Sequence, residues 1–355
     1  MLNILENNTN PYWNLAAEEY LLKNFNEPIF RLWRNDNSII VGQHQNTIAE
    51  IDVDYVKNNG IKVVRRLSGG GAVFHDLGNL NFTFIEEKKD GEDASAMFKR
   101  FTAPIIEALN SIGVKAYLEG RNDLLIDGAK FSGNAVCVHK NRILQHGTLL
   151  FSASMANLSA ALKTRPEKFI GKAVQSNRSR VTNISEHLNK ANANGNMDII
   201  GFKNFLQDYI CAKYKNITPY SYSEKDLMEI DKLVEEKYSK DSWNFGISPA
   251  YSFSKVTKLP GGIVEVYFNV NKGVITQLEI FGDYFFTKPT SEFISQLIGT
   301  EHLPASIKNA ICNIDKKLKE EGNPTGIGSY FSGVSVDEIA NMFWQSESET
   351  SSTKL

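Results

Sequence analysis

The chain has 355 residues, 42% of them hydrophobic, and a formal net charge of −2. That length allows a sizeable core and points to two domains rather than one, while the near-neutral balance argues against broad electrostatic binding of nucleic acid. The polar start does not read as a secretion signal and no apolar run reaches the roughly 18 residues of a membrane helix, and three widely spaced cysteines, Cys137, Cys211 and Cys312, fit reduced thiols in a cytoplasmic protein with no zinc-site spacing.

In chain order, Asn10-Pro11 reads as a helix start, Asn as cap and Pro in the first turn. Trp13, Ala16, Ala17, Tyr20, Leu21 and Phe25 then recur at helical spacing. Strands are predicted over Ile29–Arg34 and Ile39–Gln43, a helix over Ala49–Asn58, and strands over Lys62–Leu67 and Asn81–Ile85, the last alternating with polar residues. Ser95–Ile112 places Met97, Phe98, Phe101, Ile105 and Leu109 on one helical face and closes at Gly113. Asp127-Gly128 signals a hairpin between Leu124–Ile126 and Lys130–Ser132, and a second turn at His139–Asn141 leads into Ile143–Phe151.

Helices are expected over Met155–Leu162, Ile199–Lys213 and Ser223–Tyr238. After a boundary between Trp243 and Ser254 come a three-strand meander (Tyr251–Val256, Ile263–Val270, Val274–Phe281) and helices over Thr290–Leu297, Ala305–Leu318 and Val336–Trp344. Runs of strands and runs of helices make the fold α+β. Residues 1–246 form a large domain, 247–344 a small α+β domain, and 345–355 a polar tail expected to be disordered.

Arg65-Arg66-Leu67-Ser68-Gly69-Gly70-Gly71-Ala72-Val73-Phe74-His75-Asp76 joins two fixed cations to three residues without side chains, between strands. Glycine lets main-chain N–H groups approach a ligand and form an anion nest, and arginine adds a planar fork suited to phosphate or carboxylate. A tight hairpin turn with two solvated arginines fits the same residues equally well. Neither a Walker A loop nor a dinucleotide fingerprint fits the residues that follow the glycines. Lys130, just past the hairpin turn, shares a strand face with Ser132 by the two-residue period; it suits a carboxylate and then a phosphate, though an ordinary exposed lysine reads the same way.

Taken together, Arg65 to Asp76, Gly120-Arg121-Asn122-Asp123, Lys130-Phe131-Ser132-Gly133 and His146-Gly147-Thr148-Leu149-Leu150 resemble the motifs of the bacterial lipoate–protein ligase family. The resemblance continues through Arg178 to Asn183 and Trp243-Asn244-Phe245-Gly246, nearly the whole chain. It implies a biotin/lipoate-ligase-like catalytic domain with a mixed, mostly antiparallel sheet, and a two-step reaction. Lipoate's carboxylate attacks the α-phosphate of ATP, with magnesium shielding the phosphates, to give lipoyl-adenylate and pyrophosphate. A lysine of a carrier, the lipoyl domain of a 2-oxoacid dehydrogenase acyltransferase subunit or the glycine-cleavage H protein, then takes the acyl group. The enzyme is expected to act as a cytoplasmic monomer.

By similarity, Lys130 bridges lipoyl carbonyl and adenylate phosphate, with Asp123 as a second catalytic candidate that equally suits a turn or cap. Arg66, Gly70, Gly71, Ala72, Val73 and Phe74 line the nucleotide site, with Asn79 as a further candidate or a turn residue. Ile170 to Asn183, carrying Arg178 and Arg180, resembles an adenylate-covering lid. Lipoate is assigned to Trp33, Gly71, His75, Lys130, Ser132, Gly133, His146 and Gly147, with Val41 and Phe74 as further apolar contacts; the two histidines read better as structural. Gln43 and Gln145 depart from the family pattern, which often has Arg and His there. The rivals are a cysteine-dependent octanoyl or lipoyl transferase, whose cysteine is missing from Lys115–Arg121, and a carrier-binding protein without turnover.

Overall fold

The computed structural model describes residues 1–45, 47–51, 53–156, 162, 181–188, 197–245, 253–271, 274–302 and 304–343. Its centre is an eight-stranded sheet built from β1 (Leu2–Ile4), β2 (Ile29–Trp33), β6 (Asn79–Glu87), β7 (Ala116–Glu119), β8 (Asp123–Ile126), β9 (Ala129–His139), β10 (Arg142–Leu150) and β11 (Thr218–Tyr220), in the order β11-β1-β2-β6-β10-β9-β8-β7. β1 runs parallel to β2 and β11, and every other pairing is antiparallel. A second sheet has β3 (Ser38–Val41) between β4 (Lys62–Arg65), parallel to it, and β5 (Val73–His75), antiparallel.

The large sheet has two unlike faces, because side chains alternate along each strand. Phe30, Leu32, Phe82 and Phe84 face a core shared with the helices Ala94–Ser111 and Ile199–Lys213. The helix Ala94–Ser111 continues through Pro104, which costs a helix interior about 3 kcal/mol. Burial of Met97, Phe98, Phe101, Ile105 and Leu109, each contributing about 1.5–3 kcal/mol, outweighs that cost. On the opposite face the helix Pro11–Asn24 lies between the two sheets, with Leu15, Ala16 and Tyr20 packed against Trp33, Ile40 and Val64. The side chain of Asn10 accepts from the N–H of Tyr12, as the cap reading expects.

The C-terminal domain has its own core. β12 (Phe253–Leu259), β13 (Gly262–Asn271) and β14 (Val274–Gly282) form the expected meander, and its apolar face packs on the helices Thr290–Leu297 and Pro304–Glu320 through Phe293, Leu297, Ile307 and Ile311.

Several expectations are adjusted. The helix over Ala49–Asn58 is two short ones, Thr47–Glu50 and Val53–Asn58. The helix over Ser223–Tyr238 is α over Glu224–Leu233 and then widens into a π turn over Val234–Tyr238. β1, β5, β7 and β11 lie outside the expected strands, having only three or four residues each. Most of Met155–Leu162, the expected boundary around residues 246–252 and the tail lie outside the described residues.

Candidate active site

The glycine loop runs from β4 to β5, and these strands pair with β3 rather than with each other, so the loop crosses the end of β3 and is no hairpin. Both arginines are buried, Arg65 at 7% exposure and Arg66 at 5%, which removes the solvated-arginine reading. Arg66 donates to Ser68 Oγ, to the carbonyl of Ile40 and to those of Gly69 and Gly71, folding the loop around its guanidinium. Arg65 donates to carbonyls of Gly42, Gln43, Gln45, Trp243 and Asn244 and to Thr47 Oγ1. Trp243-Asn244 is therefore the cradle of Arg65. Burial lowers both guanidinium pKa values to about 10, which leaves them charged at neutral pH.

Two of the glycines answer to local geometry. Gly70 has φ +91°, where a side chain is strained, and a Cβ there would stand 3.0 Å from Arg66 Nη2. At Gly69 a Cβ would run into the carbonyl oxygen of Tyr284 from the C-terminal domain. Phe285 beside it lines the same cavity as the loop, so the C-terminal domain supplies part of the wall.

Gly120-Arg121-Asn122-Asp123 divides its work four ways. Gly120 turns the chain at φ +63°. Arg121 donates to the carbonyl of Gly261 and lies 3.9 Å over the Phe285 ring, a cation–π contact across the domain seam. Asn122 exchanges hydrogen bonds with Asn134. Asp123 holds Lys130 Nζ at 2.8 Å, the two side chains being 37% and 33% exposed.

Register decides which residues join Lys130. Leu125 pairs with Lys130 but Leu124 with Ser132 and Asp123 with Gly133, so a bulge places both Phe131 and Ser132 opposite Leu124. The extra residue resets the alternation. Lys130 and Gly133 line the cavity and Asp123 lies on the same face of the hairpin, while Ser132 does not share the face of Lys130, contrary to the two-residue period; it is 1% exposed and accepts from Asn134 Nδ2.

The cavity, of about 150 Å³, lies between the polar face of the large sheet and the second sheet. Trp33, His75, Gly133, His146 and Gly147 line it with Lys130, and Arg66, Gly70, Gly71, Ala72 and Val73 bring the glycine loop to it. A buried chain supports this floor: Arg66 Nε donates to Ser68 Oγ, Ser68 Oγ meets His146 Nε2 at 2.6 Å, and His146 Nδ1 meets Glu18 at 2.9 Å. Thr83 donates to the same carboxylate and accepts from Trp33 Nε1. His75 is lowered to about 3 by burial and then by Arg66 and His146, so its ring is neutral at any ordinary pH.

Other expected site residues lie elsewhere. The Phe74 side chain and Val41 sit in the core of the second sheet with Ile39 and Val63. Asn79 is fully buried and donates to Asn81 Oδ1. Gln145 donates to Asn134 Oδ1, and Gln43 is tied through its N–H to the carbonyl of Ser68. Arg178 and Arg180 lie outside the described residues. Leu15, Glu18, Asn81 and Phe285 were missed. Leu15 and Glu18 are three apart on one helical face, a signal the apolar pattern passed over, whereas nothing local marks Phe285.

Residues 10–210 match the family described as lipoyl protein ligase A/B catalytic domain, and residues 248–343 match the bacterial lipoate protein ligase C-terminus. The chain belongs to the lipoate–protein ligase family and is an enzyme of that class. It is 41% identical to lipoate-protein ligase LplJ of Bacillus subtilis over 96% of this chain and 98% of that one. Its fold is similar to that of LipL1 of P. falciparum in complex with lipoate, with a TM-score of 0.71, 25% identity, and coverage of 91% of this chain and 98% of that one. It is likewise similar to lipoate-protein ligase A bound with ATP, with a TM-score of 0.59, 30% identity and coverage of 70% and 98%.

Proposed function

We propose that this enzyme activates lipoate with ATP in the Lys130 cavity and passes the lipoyl group to a carrier lysine. The observation that carries this reading is the convergence of Lys130, the glycine loop and an apolar slot on one cavity. The lipoate carboxylate would take the place of Asp123 on the ammonium of Lys130, since a pair one-third exposed to water is readily exchanged. A carboxylate oxygen then attacks the α-phosphorus of ATP, the bond to the β-phosphate oxygen breaks, and pyrophosphate leaves. Lys130 and the main-chain N–H groups of the loop offset the charge that gathers on the phosphoryl oxygens, and being fixed beforehand they need little reorganisation.

In the second step the uncharged ε-amine of the carrier lysine attacks the acyl carbon and adenosine monophosphate leaves with the bonding pair. Asp123, freed from Lys130, would hold that amine and accept its proton. Magnesium would travel with the nucleotide phosphates and shield their charge. The carriers are lipoyl domains and the glycine-cleavage H protein, and the enzyme works in the cytoplasm as a monomer. Among the described residues no helix is long and apolar enough to cross a membrane.

A thioester mechanism is disfavoured by the cysteines. Cys137 packs with Leu21, Leu22 and Leu144, away from the cavity lining, and burial pushes its thiol up to about 12. Lipoate-dependent release of pyrophosphate from ATP tests the reading directly; transfer to a carrier without ATP would overturn it.

A further inference from the structure

The far end of the acyl slot carries two buried donors with no acceptor among the described residues, and the hydrogen-bond chain behind one of them fixes its direction. A row of paired residues locates that end. Trp33 pairs with Asn81, Asn81 with Thr148, and Thr148 Oγ1 accepts from the N–H of Gly133, beside Lys130. At about 4.8 Å per strand spacing, Asn81, two spacings away, stands about 10 Å from Gly133 across the sheet, and Trp33, three spacings away, about 14 Å. That is the reach of an extended medium-length acyl chain whose carboxylate sits at Lys130. The His75 ring meets Trp33 edge-on at 6.3 Å and lines the cavity at this far end.

The direction follows from Arg31, which can donate but never accept. Arg31 is fully buried and donates through Nη2 to Asn14 Oδ1. Asn14 must then present its amide nitrogen to the carbonyls of Asn8 and Arg34 and to Asn35 Oδ1 at 3.0 Å. Asn35 in turn presents Nδ2 to His75 Nδ1 at 3.1 Å. Nδ1 is therefore the acceptor, and in the neutral ring the proton sits on Nε2. Among the described residues buried Nε2 has no partner, nor has Nδ2 of Asn81, which lines the same end. Buried donors left unmatched cost stability, so the slot is built for something that accepts.

We propose that His75, presented as an N–H donor by the Arg31–Asn14–Asn35 chain and assisted by Asn81, reads the far end of the acyl chain and favours a sulfur-bearing ring over a plain alkyl end. The proposal rests on the lipoate reading of this cavity. A ring sulfur is a weak acceptor and packs well against aromatic rings such as Trp33, whereas a methyl end leaves both donors unmatched.

The test compares kcat/KM for lipoate and for octanoate, read as ATP-dependent pyrophosphate release by the full-length chain, in wild type and in His75→Phe. The lipoate-to-octanoate ratio is expected to fall roughly fivefold or more; an unchanged ratio overturns the proposal. Wild-type protein that uses neither acid would instead overturn the ligase reading, and the proposal with it. Should His75→Phe not fold, nitrogen-15 spectra of histidine-labelled wild type decide: His75 must show a protonated Nε2 whose resonance moves with lipoate and not with octanoate. A protonated Nδ1, or equal shifts with both acids, refutes it.

Discussion

Arg65 and Lys130 are both cations of motifs that suggest anion binding, yet they do opposite work. Arg65 is buried and donates to six protein oxygens, holding β4, the Gly42–Gln45 turn and Trp243-Asn244 together. Lys130 is one-third exposed and, among the described residues, has a single ion-pair partner, Asp123. A charge saturated with internal acceptors builds structure, and a charge with one exchangeable partner is available for chemistry. Arg66 stands between them, lining the cavity while its donors hold the loop's own carbonyls.

The sharpest way to break this contrast is to remove each cation in turn. Arg65→Ala strands several buried carbonyls and should cost on the order of 3–5 kcal/mol, seen as a lower denaturant midpoint; a stable variant that has lost only activity would place Arg65 among the reacting groups. Lys130→Ala should do the reverse, lowering kcat/KM for pyrophosphate release by on the order of 10²–10³ while the midpoint moves by less than about 1 kcal/mol. Wild-type pyrophosphate release from that variant would dismiss Lys130 from the first step.

The polar floor predicts an acid response. His75 has a folded pKa of about 3, below its unfolded value of about 6.5. Its contribution is thus complete above pH 6.5 and is lost as pH falls toward 3, since the unfolded chain takes up the proton first. The slope from this residue is up to about 1.4 kcal/mol per pH unit, and denaturation of His75→Phe at pH 7 and pH 5 should show a shallower fall than wild type. The smallest effect belongs to Cys137→Ala: activity unchanged, stability lower by about 1 kcal/mol. Abolished turnover in a folded variant would restore the thioester mechanism.

Much of this was legible in sequence because the signals are local. The Asn10-Pro11 cap, the Asp127-Gly128 turn with both residues at positive φ, and the helix Ile199–Lys213 need only neighbouring residues to specify them. Asn79, Asn81 and Thr83 alternate with Leu80, Phe82 and Phe84 as in a strand with one wet face, yet all six are buried, because the second sheet and the Pro11–Asn24 helix cover the polar side. Such covering is tertiary and leaves no trace in the strand itself. The same holds for Glu18 beneath His146, for Phe285 reaching the cavity from another domain, and for β1 and β11, which exist only because each pairs with a distant partner.

The bulge at Leu124 has a consequence for how this hairpin can vary. Lys130 and Gly133 both reach the cavity, three positions apart, because one surplus residue separates them. Losing that residue would leave the lysine two positions from Gly133, still on the cavity face by ordinary alternation but in a strand without the local kink. The segment can therefore gain or lose its bulge and keep the lysine in place, whereas a one-residue slip of the whole pairing would turn it to the core.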